Sequence, residues 1–215
     1  MTDHSEKEVA QRHRRKDERP GEIVLAALKI FHAKGFSATK IENIAQEAGV
    51  ATGTVYRYFQ NKQDLFKAAV RELVIPSLDR IEECALAEPL PREQLRTALR
   101  LWAEATQNNR GCITKLIIAE AGNFPDLVVF FREEISGRVH RMLKRIVEDG
   151  IATGDFRICD PAIVVRLLAA PIVMASIWRH TFPGIPETQS DMTEQVDALL
   201  EVVLKGIDAH QGTGR

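Results

Sequence analysis

Apolar residues recur every three to four positions through most of the chain after Pro20, and this spacing predicts an all-α protein. The stripe formed by Ile23, Ala27 and Phe31 predicts a first helix that ends near Gly35. Two shorter helices follow it, and longer amphipathic helices occupy the rest of the chain. Residues 1–19 have no apolar periodicity, so we expect them to be disordered when no partner is bound.

Residues 37–66 predict two short helices joined by a tight turn. Thr39 and Glu42 have the spacing of a capping box, which starts the first of these helices near Lys40. This helix has one inward face of aliphatic residues. Gly49 then supplies the left-handed backbone conformation that ends a helix without a side-chain clash.

The second helix of this pair places Val55 and Phe59 inward and polar residues outward. Hydroxyl and guanidinium groups on the outer face are suited to the phosphate oxygens and base edges of DNA. Gly53 lets a phosphate approach the helix start closely, because glycine has no Cβ. The predicted DNA contacts on this helix and beside it are Thr39, Lys40, Thr52, Gly53, Thr54, Tyr56, Arg57, Tyr58 and Lys62. A helical hairpin with a solvated polar face has the same pattern, and spacing alone does not separate the two interpretations.

The TetR family of transcriptional regulators has a DNA-binding segment that resembles the run Ile44–Phe59, IAQEAGVATGTVYRYF, followed by Lys62 and Leu65-Phe66. The similarity extends backwards through the first helix, so it covers residues 20–66. Beyond these residues only the layout of helices is similar. Members of the family usually carry Ser or Thr where this chain has Ala51, and the loss of a hydroxyl cap costs about 1 kcal/mol.

The resemblance implies an N-terminal three-helix helix-turn-helix head that binds DNA and a larger C-terminal helical domain that binds a ligand and dimerises. With the boundaries above, residues 1–19 form a basic arm, 20–66 the head, 67–210 the larger domain and 211–215 a tail. The resemblance also implies a homodimeric repressor that binds a palindromic operator and is released by a small molecule. The alternative is a helical dimeric ligand-binding or adaptor protein without specific DNA binding.

The last two helices are predicted at residues 161–180 and from Asp191 onwards, and both are rich in apolar residues. The first of them is apolar on nearly every side, which is typical of a helix that is buried all round. The pair resembles the two helices that form a four-helix dimer interface in the TetR family. The residues expected at this interface are Leu168, Ile172, Val196, Leu200, Val203 and Leu204. Completion of the monomer core is the alternative interpretation.

A ligand pocket in the larger domain is predicted from its aromatic and apolar side chains, and a small apolar or aromatic ligand is expected. The candidate lining residues are Trp102, Leu116, Phe130, Met174 and Trp178, with Glu120 and His140 to orient a polar group. Taken singly, each of these side chains is more commonly explained by ordinary packing or by a place on the surface.

The charge of the chain is unevenly divided, although the net charge is only −1. Residues 1–66 carry a net charge of +2 and the remainder carries −3. The densest basic cluster precedes the first helix, at Arg12, Arg14, Arg15, Lys16 and Arg19. A basic arm at this place is suited to the phosphates or the minor groove of DNA, and a solubilising tail has the same composition.

Other classes of protein are disfavoured by composition and motifs. The 45% hydrophobic content supports a packed core, and no apolar run approaches the roughly 18 residues of a membrane span, so a cytoplasmic protein with no membrane partner is expected. No histidine has a metal-binding spacing, and neither a phosphate-binding glycine loop nor a nucleophile motif occurs. Cys84, Cys112 and Cys159 have no paired spacing. We therefore expect no enzyme activity, no metal and no cofactor.

Overall fold

The computed structural model describes residues 3–107 and 112–207, with side chains from residue 19 onwards except that of Cys112. These residues contain helices and connecting turns and no β-strand, which confirms the all-α prediction. The chain divides into two compact units, Met1–Glu72 and Leu73–Arg215.

The first unit contains α1 (Asp3–Lys34), α2 (Ile41–Glu47), α3 (Thr52–Tyr58) and α4 (Lys62–Leu73). Its core contains a cluster of three rings, those of Phe31, Phe36 and Phe66, with centroids 5.2 to 5.5 Å apart in tilted and edge-to-face arrangements. Phe66 and the next turns of α4 belong to this core, and the compact unit extends to Glu72.

The amino-terminal helix differs from the sequence expectation, because α1 begins at Asp3 and passes through Pro20. Residues 5–19 consist largely of Glu, Lys, Arg, Gln and Ala, which are strong helix formers. Hydrophobic periodicity does not detect a helix that is polar on every side. The side chains of residues 1–18 lie outside the described residues, so the contact of the basic arm with DNA stays a prediction.

The second unit is a helical bundle organised around α6. Its helices are α5 (Ile75–Leu86), α6 (Pro91–Gln107), α7 (Cys112–Glu120), α8 (Pro125–Phe131), α9 (Gly137–Thr153), α10 (Pro161–Thr181) and α11 (Met192–Ile207). Helix α6 packs against α5, α9, α10 and α11, while α10 also packs against α7 and α9. A π-helical segment, Arg132–Ser136, joins α8 to α9, so the helical backbone runs without a break from Pro125 to Thr153.

Several predicted helix ends agree with the structure. The side chain of Asp160 accepts a hydrogen bond from the backbone N–H of Ala162 at 2.8 Å, and Pro161 occupies the first position of α10. Asp191 caps α11 in the same way through Thr193, at 2.9 Å. Pro76 lies in the first turn of α5, where its missing N–H leaves no hydrogen bond unsatisfied.

Helix α10 is an exception to the expectation that no apolar segment reaches the length of a membrane span. By length and composition it could cross a membrane, with a mean hydropathy of 1.9 over 18 residues, and 33% of that window is buried within the protein. Core helices of soluble proteins have the same composition. The contacts of α10 with α6, α7, α9 and α11 show that one of its faces belongs to the bundle core.

The packing of α9 generates a prediction about Gly150. A Cβ at this position would lie 2.2 Å from Cδ2 of the buried Phe156 ring. We expect Gly150→Ala to destabilise the protein by about 2 kcal/mol, because the ring has to move out of a packed site. Thermal and urea unfolding would measure the loss.

Gly206→Ala is the matched control, because a Cβ at Gly206 meets nothing within 4 Å. This change should leave stability unchanged or raise it by up to about 1 kcal/mol, since alanine favours a helix. Equal losses in both variants would contradict the proposed clash at Gly150.

Candidate nucleic-acid interface

The turn between α2 and α3 is fixed by backbone hydrogen bonds. Gly49 is left-handed with φ 64°, and its N–H donates to the carbonyl of Gln46 at 3.2 Å. The N–H of Val50 donates to the carbonyl of Ala45 at 2.9 Å. These two bonds form a Schellman motif, which satisfies the last carbonyls of α2 and reverses the chain. The prediction for Gly49 is confirmed.

The start of α2 differs from the predicted capping box. Lys40 is the N-cap, and its backbone N–H donates to Oδ1 of Asn43 at 3.4 Å. The side chain of Thr39 is buried, and its hydroxyl donates to the carbonyl of Gly35 at 2.6 Å. The prediction that Thr39 contacts DNA is therefore corrected, because its buried hydroxyl donates to a carbonyl at the end of α1.

The two faces of α3 agree with the sequence analysis. Val55 is 0% exposed and Phe59, just after the helix, is 8% exposed, so both anchor α3 to the core of the first unit. On the other face Tyr56 and Arg57 are exposed, and Thr52, Thr54 and Tyr58 are partly exposed.

Arg57 and Tyr58 form a pair on the outer face of α3. Nη2 of Arg57 donates to the hydroxyl of Tyr58 at 2.8 Å, and its Cζ lies 4.8 Å from the centroid of that ring. This contact orients the guanidinium before DNA binds. A guanidinium has five N–H donors, so one bond to tyrosine leaves capacity for a phosphate or a guanine edge.

Gly53 lies on the exposed side of the first turn of α3. Its φ is not left-handed, and a Cβ placed on it would meet nothing within 4 Å. Neither backbone strain nor packing within the protein therefore requires glycine here. The N-cap residue, Ala51, makes no side-chain cap hydrogen bond, and Thr52 begins the helix without replacing that cap. This end of α3 is open to an external group.

Lys62, the first residue of α4, makes contacts within the protein. Its ammonium donates to the carbonyls of Phe36 at 2.7 Å, Ser37 at 3.1 Å and Thr39 at 2.9 Å, and it lies 4.7 Å from the centroid of the Phe36 ring. These three carbonyls match the three N–H donors of a lysine ammonium, and the DNA contact by Lys62 stays a prediction. Lys40, by contrast, is exposed as expected.

The start of α4 carries a capping arrangement that was not predicted from the sequence. Oδ1 of Asn61 accepts from the N–H of Asp64 at 2.8 Å, and Oδ2 of Asp64 accepts from the N–H of Gln60 at 3.0 Å. The signal was present in the sequence, since Asn and Asp three positions apart have the spacing of a capping box. These bonds fix the chain as it leaves α3.

Profiles of known families match both units. Residues 23–69 match the profile described as bacterial regulatory proteins, tetR family, and residues 91–199 match the tetracyclin repressor-like C-terminal domain. This chain belongs to the TetR family. It is a helix-turn-helix transcriptional regulator with a ligand-binding C-terminal domain.

Two curated relatives are similar to this TetR-family chain over most of its length. The HTH-type transcriptional repressor KstR2 of Mycolicibacterium smegmatis is 26% identical over 90% of this chain and 93% of the relative. The fatty acid metabolism regulator protein of Bacillus subtilis is 25% identical over 86% of this chain and 94% of the relative.

Two solved structures share the fold. FadR from Bacillus subtilis, crystallised in complex with stearoyl-CoA, has a TM-score of 0.75 and 22% identity over 86% of this chain and 98% of that chain. The ketosteroid transcriptional regulator KstR2 of Mycobacterium tuberculosis has a TM-score of 0.68 and 23% identity over 88% of this chain and 95% of that chain.

The residues predicted for the ligand pocket differ in their burial. Leu116 and Phe130 are buried, and Trp102 and Glu120 are partly buried. His140 is exposed, with Nδ1 2.7 Å from the carbonyl of Ser136. Met174 and Trp178 are about half exposed, at 49% and 53%. The prediction that His140, Met174 and Trp178 line a pocket is therefore corrected, because all three lie on the outside of the second unit.

Two cavities of the second unit lie elsewhere. A groove of 440 Å³ between α6 and α11 is lined mostly by charged residues, including Arg96 and Asp197, and a crevice of 20 Å³ lies between α10 and α11. Neither is lined by any of the seven predicted pocket residues. Among the described side chains, no group of three or more His, Cys, Asp or Glu could hold a metal.

The predicted dimer-interface residues also lie mainly inside the protomer. Leu168, Ile172, Val196 and Leu200 are between 0% and 2% exposed, while Val203 and Leu204 are partly buried. The prediction that these first four residues form a dimer interface is therefore corrected, because they belong to the core of the protomer. The sequence identified two strongly apolar helices, but on a helix that is apolar all round it could not indicate which side faces the core.

The open surface at Gly53 generates a prediction that separates folding from DNA binding. Gly53→Ala should keep or slightly raise thermal stability, because alanine favours a helix by up to about 1 kcal/mol over glycine. It should weaken binding to a cognate duplex about tenfold or more, since the added methyl group holds a phosphate away from the backbone.

Arg57→Ala is the reference variant in the same gel-shift and thermal-unfolding experiments. It should weaken DNA binding with little change in stability, because the Arg57 side chain is exposed. Wild-type affinity in Gly53→Ala would show that DNA does not approach this end of α3.

Proposed function

We propose that this chain is a homodimeric repressor that presents α3 twice to a palindromic operator and is released by a long apolar acyl or steroid ligand. The observation that carries the proposal is the outer face of α3, where Thr52, Thr54, Tyr56 and Arg57 surround an uncrowded Gly53. Hydroxyl, phenol and guanidinium groups around an open helix end suit phosphates and base edges.

Two copies are needed because α3 has seven residues and reads few base pairs. Two heads related by a two-fold axis read a palindrome, with recognition helices about 34 Å apart, or one turn of DNA. An operator with two inverted half-sites in successive major grooves is therefore the proposed target.

The proposed dimer surface is an apolar stripe on the outside of α10, which we call the outer stripe. It consists of Ile163, Leu167, Pro171, Met174 and Trp178, which recur at helical spacing and are all exposed. Val202 of α11 is also exposed, at 72%. Water contact with such a continuous apolar face is unfavourable, and a second copy of the same helix would cover it.

Coverage by a second copy is favoured over coverage by lipid. The opposite face of α10 packs into the bundle, with Val164, Leu168 and Ile172 buried, so α10 would have to leave the core to cross a membrane. We accordingly propose a cytoplasmic protein without a membrane partner. Recovery of the protein in the soluble fraction, without detergent, would support this assignment.

The ligand class is inferred from the relatives. One relative is a fatty acid metabolism regulator, one solved structure contains stearoyl-CoA, and another is a ketosteroid transcriptional regulator. Long apolar molecules are common to these descriptions, and they agree with the apolar ligand expected from the sequence. The partly or fully buried candidates Trp102, Leu116 and Phe130 remain proposed lining residues.

Specific DNA binding is the decisive test against the alternative of an adaptor protein. The full chain is used to select duplexes from a randomised library, and the selected fragment is measured against a scrambled one at several salt concentrations. A repressor should select an inverted repeat, and its affinity should fall steeply with salt. Weak binding of both fragments at low salt would instead favour the adaptor.

Release by ligand is tested on the complex with the selected fragment. Stearoyl-CoA is the probe, with free coenzyme A as the matched control that lacks the apolar chain. The proposal requires the acyl compound to weaken DNA binding, because a ligand acts only through its different affinity for the bound and released states. Equal effects of both compounds would contradict an apolar ligand.

The outer stripe generates a prediction for the oligomeric state. Leu167 is 57% exposed and Leu200 is 1% exposed, so the same substitution should have different effects. Leu167→Asp should give a folded monomer, because a charge in the proposed interface opposes dimerisation. Leu200→Asp should unfold the second unit, because it buries an unpaired charge in the core. Light scattering gives the mass and circular dichroism gives the helix content. A dimeric Leu167→Asp protein would refute the assignment of the stripe.

A further inference from the structure

The helical backbone from α8 to α9 contains one irregular turn, Arg132–Ser136, which we call the π turn. The N–H of Gly137 donates to the carbonyl of Arg132, five residues earlier, whereas an α-helix uses the fourth. A Cβ at Gly137 would lie 2.5 Å from that carbonyl oxygen. Because the clash would be with backbone, the π turn depends on glycine at this position.

The π turn aligns the buried faces of α8 and α9. Phe130 before the turn and Val139 after it are both buried, and they are nine positions apart. Nine residues make about two and a half turns of an α-helix, which would place the two side chains on opposite faces. The π turn takes up about one extra residue and so rotates α9 back by roughly 100°. It therefore also sets the direction of Arg138, which precedes Val139.

Arg138 directs its guanidinium at α5. Its Nη1 lies 2.7 Å from Oδ1 of Asp79, while Nη2 and Nε donate to Oε2 of Glu82 at 2.7 and 3.2 Å. The π turn itself also packs against α5. An isolated exposed ion pair contributes little, but a guanidinium engaged through three nitrogens is held in one orientation.

This contact adjoins two features that matter for the proposed function. Helix α5 begins one residue after α4 ends, and α4 contributes Leu65 and Phe66 to the core of the first unit. Phe130, a proposed lining residue of the ligand site, is separated from the π turn by one residue. A change at Phe130 therefore has a short covalent path to Arg138 and, through its carboxylate partners, to α5.

We propose that Arg138 and the π turn form a latch that holds α5, and that a ligand in contact with Phe130 acts on DNA binding by loosening this latch. The proposal rests on the proposed function, which supplies the operator and the ligand. Arg138 is a positioning residue in this scheme. Loss of the latch gives α5 more conformations before DNA binds, and the need to restrict them on binding lowers the affinity.

Hydrogen exchange of the full chain without DNA or ligand tests the latch directly. Arg138→Met should make the amides of residues 75–86 exchange about tenfold faster, because α5 loses its charged hydrogen bonds. Arg145→Met is the matched control, since Arg145 is exposed and pairs only at 3.8 Å with Asp149 of its own helix. The control should exchange at the wild-type rate. A wild-type rate in Arg138→Met would overturn the proposal.

Gly137→Ala tests the role of the π turn while Arg138 is retained. The added methyl group cannot coexist with the Arg132 carbonyl, so the turn has to change and the guanidinium should leave α5. Exchange in residues 75–86 should then rise as in Arg138→Met. Gly206→Ala is the control for the substitution itself, because its Cβ meets nothing within 4 Å. Slow exchange in Gly137→Ala would show that the latch does not depend on the π turn.

The regulatory part of the proposal is tested with the selected duplex and stearoyl-CoA. Arg138→Met should bind the duplex about tenfold more weakly than wild type, and stearoyl-CoA should weaken its binding by a factor about fivefold smaller or less. An undiminished effect of stearoyl-CoA in Arg138→Met would overturn the coupling.

Failure of the proposed function has a different signature. A wild-type chain that selects no duplex, or does not respond to stearoyl-CoA, contradicts the proposed function, whereas hydrogen exchange of the free protein still decides whether Arg138 holds α5.

Discussion

The inward packing of Val55 and Phe59 is the constraint on which the DNA-reading surface depends. A helix of seven residues is not stable alone in water, because the cost of nucleation exceeds the gain from so few hydrogen bonds. Helix α3 exists because these two side chains are buried against the rest of the first unit and because the Gly49 turn fixes its entry. The outer face can consequently consist of polar residues that contribute nothing to the core. Function and stability thus occupy opposite sides of one short helix.

The polar groups around α3 serve two different purposes. Arg57, Tyr56 and Thr52 remain on the surface, whereas Thr39 and Lys62 satisfy carbonyls at chain reversals of the same unit. Buried or partly buried carbonyls need donors, and a threonine hydroxyl or a lysine ammonium nearby supplies them. A positive charge in a DNA-binding head is therefore not by itself evidence of a phosphate contact.

The apolar residues of α10 have two different roles in the second unit. Val164, Leu168 and Ile172 of α10 belong to the core, while Leu167, Pro171 and Trp178 form the outer stripe. In the proposed dimer, the buried face of α10 holds the second unit together and the outer stripe is the face on which two copies associate. Ligand control then requires only that the ligand prefers one of two arrangements of the dimer, by a few kcal/mol.

The sequence by itself determined the helical class, the position of the helix-turn-helix, the turn at Gly49 and the inward role of Val55. These features depend on residues close together in the chain, where spacing, caps and backbone preferences act. Only the tertiary structure decided which face of α10 is buried, that α4 belongs with the first unit, and that the ammonium of Lys62 meets three carbonyls more than twenty residues away. Such features arise from packing between distant segments, and a local hydrophobic pattern contains no information about which neighbour a side chain will meet.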